Sequence, residues 1–174
     1  MAITRRRFLK IAGWSAAGAA LVGTGAGIYG AHHLRVENIE IPLRRWPAEL
    51  DGFRLVQITD PHYGSFTTPH DLEQVVEKAN SLRPDLIVLT GDYVTLPVVG
   101  GDKVKVAGDA APCAEIFRAL TARLGVYGVL GNHDAWSDPD RIAAAFNAAK
   151  LPMLREEVVA IDDRGARFWL IGST

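Results

Sequence analysis

The sequence predicts a layered α/β sandwich, a parallel-rich sheet with flanking helices, preceded by an N-terminal signal or anchor helix. Two observations lead there. From about Val36 onward, short apolar runs alternate with longer stretches of helical periodicity, and strand–helix–strand–helix–strand is the order a parallel sheet requires. Ahead of that region, a basic head is followed by an uncharged run from Ile11 to Ala31, the layout of an export signal. The chain has 174 residues, 48% of them hydrophobic, enough for one ordinary domain with a real core and a targeting segment.

The leader comes first. Thr4-Arg5-Arg6-Arg7-Phe8-Leu9-Lys10 resembles at every position the twin-arginine pattern Ser/Thr-Arg-Arg-x-Phe-Leu-Lys. The resemblance implies export in the folded state by the twin-arginine translocation machinery. The destination is then the periplasm or the outer face of the cytoplasmic membrane. Residues 1–31 serve as a signal that is cleaved or as an anchor that is kept, since the uncharged run is about long enough to span a bilayer.

The domain is expected over 36–174. Val36 to Ile41 alternates apolar and polar residues and reads as a half-exposed strand. Phe53 to Thr59 is the next strand, ending in the loop Asp60-Pro61-His62-Tyr63-Gly64. Thr68 is placed to cap a helix with Pro69 in its first turn, and Leu72, Val75, Val76 and Ala79 form its apolar stripe. Pro84 ends it. Leu86 to Leu89 is continuously apolar, as strands buried on both faces are, and runs into Thr90-Gly91-Asp92. A long loop is expected from Tyr93 to Ala110, a length often tied to function. A helix over Cys113 to Leu124 and a strand over Val126 to Leu130 follow, the strand ending in Gly131-Asn132-His133-Asp134. Asp138-Pro139 starts a helix to about Ala149. Met153-Leu154, Val158 to Ile161 and Arg167 to Ile171 read as later strands, with Asp162 to Gly165 as the last turn.

Composition narrows the function classes. The formal net charge of -1 gives no bulk pull toward nucleic acid, and no nucleic-acid partner is indicated. The lone cysteine, Cys113, excludes an internal disulfide framework and reads as a small buried apolar residue.

The informative feature is where polar residues fall. Three apolar strands end in Asp60-Pro61-His62, in Gly91-Asp92 and in Gly131-Asn132-His133-Asp134. Ligands of open parallel sheets bind beyond the carboxyl ends of the strands, so these clusters are expected at one rim. Asp60 and Asp92 offer carboxylate oxygen, His62 imidazole nitrogen and Asn132 amide oxygen. This mixture suits Mn, Fe or Zn rather than calcium or a thiolate-bound zinc. Trp46, Tyr63, Trp136 and the loop from Tyr93 to Ala110 serve equally well as substrate contacts or as packing.

These three clusters and their flanks, Leu-Val-Gln-Ile-Thr-Asp-Pro-His, Leu-Ile-Val-Leu-Thr-Gly-Asp-Tyr-Val and Gly-Val-Tyr-Gly-Val-Leu-Gly-Asn-His-Asp, resemble the first three motifs of the calcineurin-like metallophosphoesterases, in particular a bacterial membrane-attached branch, the YaeI/YkuE type. The resemblance implies a phosphoester substrate and two divalent metal ions. Asp60 and His62 would hold the first ion, Asp92 would bridge both and Asn132 would hold the second. His133 would not be a ligand but would contact the phosphoryl or leaving oxygen, with Asp134 orienting it. Ions about 3.5–4 Å apart activate a hydroxide that attacks phosphorus in line.

The family completes its site with a later isolated His and a Gly-His-x-His motif. Of the five histidines here, His32, His33, His62, His70 and His133, none follows His133, and His32, His33 and His70 are poorly placed as substitutes. The expectation is a fragment of a longer reading frame. The alternative is a degenerate, non-catalytic metal-binding module. A hydrolase of lipid-linked or nucleotide-sugar pyrophosphates is a third reading, which fits less well with export.

Overall fold

The computed structural model describes residues 34–64, 67–96 and 102–173. The expected leader, 1–31, lies outside the described residues, and the unit that carries the fold begins at Glu37. Among the described residues, no helix is long and apolar enough to cross a membrane.

The elements run β1 (Leu55–Ile58), α1 (Pro69–Ser81), β2 (Leu86–Leu89), α2 (Lys103–Gly108), α3 (Ala110–Phe117), β3 (Val126–Gly128), α4 (Asn132–Trp136), α5 (Pro139–Ala148), β4 (Glu157–Asp163) and β5 (Ala166–Gly172). Strands β1, β2 and β3 form a parallel sheet in that order, in the register Ile58↔Leu89 and Leu89↔Gly128. Ile87 and Leu89 of β2 are buried among Leu72 and Val76 of α1, Cys113 and Phe117 of α3, and Ile142 and Phe146 of α5. Each large apolar side chain so buried contributes about 1.5–3 kcal/mol. This is the expected α/β layering. Cys113 lies in that core, where burial first and the Asp134 charge second hold its thiol well above the usual range.

Local chemistry sets the helix starts. The Thr68 hydroxyl accepts from Asp71 N (3.3 Å) while the Asp71 carboxylate accepts from Thr68 N (2.8 Å), a capping box with Pro69 behind it. Asp138 caps α5 by accepting from Arg141 N (3.1 Å).

Several expectations are corrected. Val36 to Ile41 carries no strand, and Ile39 and Ile41 are 75% and 70% exposed. Alternation makes a strand only where a neighbour supplies an edge and a cover, and among the described residues none pairs with it. The expected Tyr93–Ala110 loop contains α2, capped by Asp102, which accepts from Val104 N and Lys105 N. The expected Cys113–Leu124 helix is α3, three residues earlier at its start and seven earlier at its end; just beyond that end the Asn80 side chain donates to Ala119 O (2.9 Å) and accepts from Thr121 N (2.8 Å). Met153 makes only an isolated bridge to Gly128. Strands β4 and β5 are antiparallel and form a separate sheet. Their turn is Arg164-Gly165, at φ 50 and 84, the left-handed pair that tight hairpins favour, while Asp162 and Asp163 remain in β4.

Candidate metal centre

Strand pairing continues past the strands and delivers the site residues. Thr90 N donates to Ile58 O (3.0 Å), Asp60 N to Gly91 O (3.1 Å), His62 N to Asp92 O (3.0 Å) and Tyr63 N to Tyr93 O (2.9 Å). On the other side, Val129 N donates to Leu89 O (2.9 Å). Parallel neighbours advance together, so the polar ends of β1, β2 and β3 arrive at one rim.

The backbone there is strained. Asp60, His62 and Asp92 have φ of 52, 45 and 55. Left-handed non-glycine residues cost about 1–3 kcal/mol each and persist where their surroundings fix them, often at functional sites. At Asp92 the fixing group is Asp134, which is fully buried. Its carboxylate accepts from Asp92 N (2.8 Å), Gly131 N (2.9 Å), Tyr93 N (3.0 Å) and Val94 N (3.3 Å). Burial raises its pKa, with the amides of Gly131, Val94 and Asp92 pulling the other way. Glycine is required at two points. A Cβ on Gly91 would run into the Gly131 backbone, and one on Gly131 would run into the Asp92 carboxylate and amide.

The side chains then converge. His62 Nε2 lies 3.8 Å from Asp60 Oδ1 and 3.9 Å from Asp92 Oδ2. Thr59 donates its hydroxyl hydrogen to Asp60 Oδ2. His133 N donates to Asp92 Oδ1 (2.9 Å). His62, Asp92 and His133 place one potential ligand atom each within 4.8 Å of one another, with the two imidazoles edge to face at 5.0 Å. Two carboxylates and an imidazole nitrogen facing one point fit a divalent cation of borderline softness.

Asp60, His62, Asp92 and His133 therefore meet as the strand-end pattern indicates. Asn132 opens α4 at the same rim, exposed, and its side-chain amide makes no hydrogen bond among the described residues. Asp134 departs from expectation. It braces the backbone, and what meets the His133 ring is Leu96 N, donating to Nδ1 (3.2 Å). Thr95 Oγ1 lies 2.9 Å from His62 Nδ1. Sequence reasoning missed both Thr95 and Leu96, for a hydroxyl and a backbone amide in a loop carry no motif. Of the unassigned aromatics, Trp46 packs on Phe53 and Phe168, Tyr63 is half-buried, and Trp136 is 57% exposed with its ring 5.4 Å from that of His133.

Comparison with known proteins decides the family. The calcineurin-like phosphoesterase model matches residues 53–168. The chain belongs to the calcineurin-like metallophosphoesterases. It is similar to the uncharacterized metallophosphoesterase YkuE of Bacillus subtilis, 36% identical over 138 residues, covering 76% of this chain and 45% of YkuE. It is 23% identical to the phosphodiesterase YaeI of Escherichia coli, covering 98% of this chain and 60% of YaeI. It is 33% identical to the UDP-2,3-diacylglucosamine pyrophosphatase LpxG of Chlamydia muridarum, covering 60% of this chain and 31% of LpxG. The chain thus spans roughly a third to three fifths of the length of these relatives. Metallophosphoesterases bind divalent metals, and the rim of this sheet supplies a ligand group for one.

Proposed function

We propose that this protein hydrolyses phosphoric esters outside the cytoplasm, at a centre that holds two divalent cations. The observation that carries the reading is the convergence of Asp60, His62 and Asp92 with His133 beyond the ends of β1, β2 and β3. Asp60 and His62 would hold one cation, Asp92 would serve both and Asn132 would hold the second, with Mn, Fe or Zn suited to these donors. Bound cations would supply Lewis acidity, polarising the phosphoryl group and lowering the pKa of water so that hydroxide is available near neutral pH. The chain's own residues do the rest. Asp134 presets the backbone before substrate arrives, which spares reorganisation during reaction. The hydrogen bond from His133 N fixes one oxygen of Asp92. The His133 imidazole stands beside the carboxylates, able to donate to a phosphoryl or leaving oxygen.

The test is hydrolysis of an aryl phosphodiester by Mn-loaded protein. Asp92→Asn is expected to lower turnover by more than the roughly 10–100-fold typical of changes just outside a metal's ligands. Full turnover by Asp92→Asn overturns the reading. Similarity to LpxG supports a second reading, cleavage of a phosphoric anhydride. A nucleotide-diphosphate sugar hydrolysed well, with the aryl diester left intact, favours it.

Export through the twin-arginine machinery is supported by Thr4 to Lys10 and the uncharged run after it. Joint Arg5→Lys and Arg6→Lys substitution is expected to abolish translocation, read by cell fractionation. Undiminished delivery overturns this part.

A further inference from the structure

We propose that Leu96 fixes the tautomer of His133, whose Nε2 then carries a proton, and that Thr95 supports the opposite tautomer of His62, whose Nε2 is left free to bind a cation. The inference rests on the metal reading above and deepens it. A neutral imidazole has one protonated and one lone-pair nitrogen, and a partner on one nitrogen dictates the state of the other. Leu96 N–H can only donate. It meets His133 Nδ1 at 3.2 Å, so that nitrogen presents its lone pair and the proton sits on Nε2. A protonated nitrogen cannot ligate. His133 therefore stands within 4.8 Å of His62 and Asp92 as a hydrogen-bond donor rather than a third ligand.

The other imidazole has a different partner. The Thr95 hydroxyl, 2.9 Å from His62 Nδ1, both donates and accepts. It allows either tautomer, and the surroundings choose. His62 Nε2 faces Asp60 Oδ1 at 3.8 Å and Asp92 Oδ2 at 3.9 Å. A cation there would need the Nε2 lone pair, so the ring proton would sit on Nδ1, where Thr95 Oγ1 can accept its hydrogen bond. A hydroxyl beside one ring and an amide beside the next thus divide the labour between two chemically identical side chains. The pair is held in place by its neighbour Val94, whose N–H reaches Asp134 at 3.3 Å and which bridges to Tyr63. Thr95 and Leu96 are positioning residues, acting through the imidazoles they touch.

The experiment is a long-range ¹H–¹⁵N spectrum of the imidazoles in the ¹⁵N-labelled chain loaded with diamagnetic Zn²⁺. The expected result is His62 protonated on Nδ1 with Nε2 shifted by the metal, and His133 protonated on Nε2 without a metal shift. His133 protonated on Nδ1, or metal-shifted, overturns the proposal. Calorimetry with Mn²⁺ is the second readout. Thr95→Val keeps the shape and loses the acceptor, and is expected to weaken binding about 10–100-fold, whereas Thr95→Ser keeps wild-type affinity. Wild-type affinity in Thr95→Val overturns the role of Thr95. His62→Ala separates the two failures. Unchanged affinity there overturns the metal centre and this proposal with it, while a loss there beside an unaffected Thr95→Val overturns the proposal alone.

Discussion

The rim of the parallel sheet and the β4–β5 hairpin solve opposite problems. At the rim, three residues hold left-handed backbone; a buried carboxylate collects four amides, that of Asp92 among them, while Asp60 and His62 are held by their own amides on Gly91 O and Asp92 O. The hairpin puts its left-handed residues in the turn, where they match the twist of the strands. One face of it packs Phe168 against Trp46 and Phe53. On the other, Val158, Trp169 and Ile171 stay exposed. The turn is tied to the sheet by charge. Arg123 bonds Asp163 at 2.6 and 2.8 Å and Asp85 at 2.6 Å, with Arg164 3.7 Å from each. At the rim the left-handed backbone of Asp92 is held from the interior, by the buried Asp134. The hairpin instead keeps its left-handed residues at the turn and at the entry to β4 and is tied down by ion pairs between half-exposed arginines and the buried Asp163.

The sharpest way to break this contrast is Asp134→Asn. One side of the amide would face two N–H donors with another donor, and burial of unmatched groups costs about 1–3 kcal/mol each. The expected loss is about 2–5 kcal/mol in urea unfolding, together with weakened metal binding. A variant as stable as wild type removes Asp134 from its place as the brace. A smaller and opposite effect is expected at Asp60→Gly. Relief of the left-handed conformation should raise the stability read from urea unfolding by up to about 1 kcal/mol while metal affinity falls. Lower stability would show that φ at Asp60 stores no strain.

The smallest effect belongs to the hairpin and is visible in acid. Hydrogen bonding from Arg123 holds Asp163 below the usual carboxylate range. At Asp85, burial pushes upward and is outweighed by Arg54 N and Arg123, leaving the carboxyl low. Acids depressed in the fold add stability above their unfolded pKa, and that stability drains as pH falls through the folded value. Arg123→Met should therefore flatten the stability loss below about pH 4 and leave metal binding at neutral pH unchanged. Superimposable acid limbs would deny the cluster its anchoring part.

Legibility followed the range of the interactions. The start of α1 was readable because Thr68 and Asp71 act across three residues. Asp60, His62, Asp92 and His133 were readable because each follows an apolar run whose partner strands are also apolar runs. Asp134 was expected to orient His133, whereas its carboxylate meets backbone amides, three of which, those of Asp92, Tyr93 and Val94, lie 40 to 42 residues back along the chain. Thr95 and Leu96 left no pattern, since their effect depends on which ring atom they meet. The Val36–Ile41 alternation misled because period two reports a chain able to pair, not the presence of a partner.

The close approach of Gly91 to the Gly131 backbone, and of Gly131 to Asp92, makes the rim a fixed gauge. Its width is set by peptide atoms touching peptide atoms, so repacking neighbouring side chains cannot open or close it. Anyone retuning this centre for larger ions would have to lengthen a connection. Exchanging residues one at a time would leave the gap between the Asp92 carboxylate and the first turn of α4 unchanged.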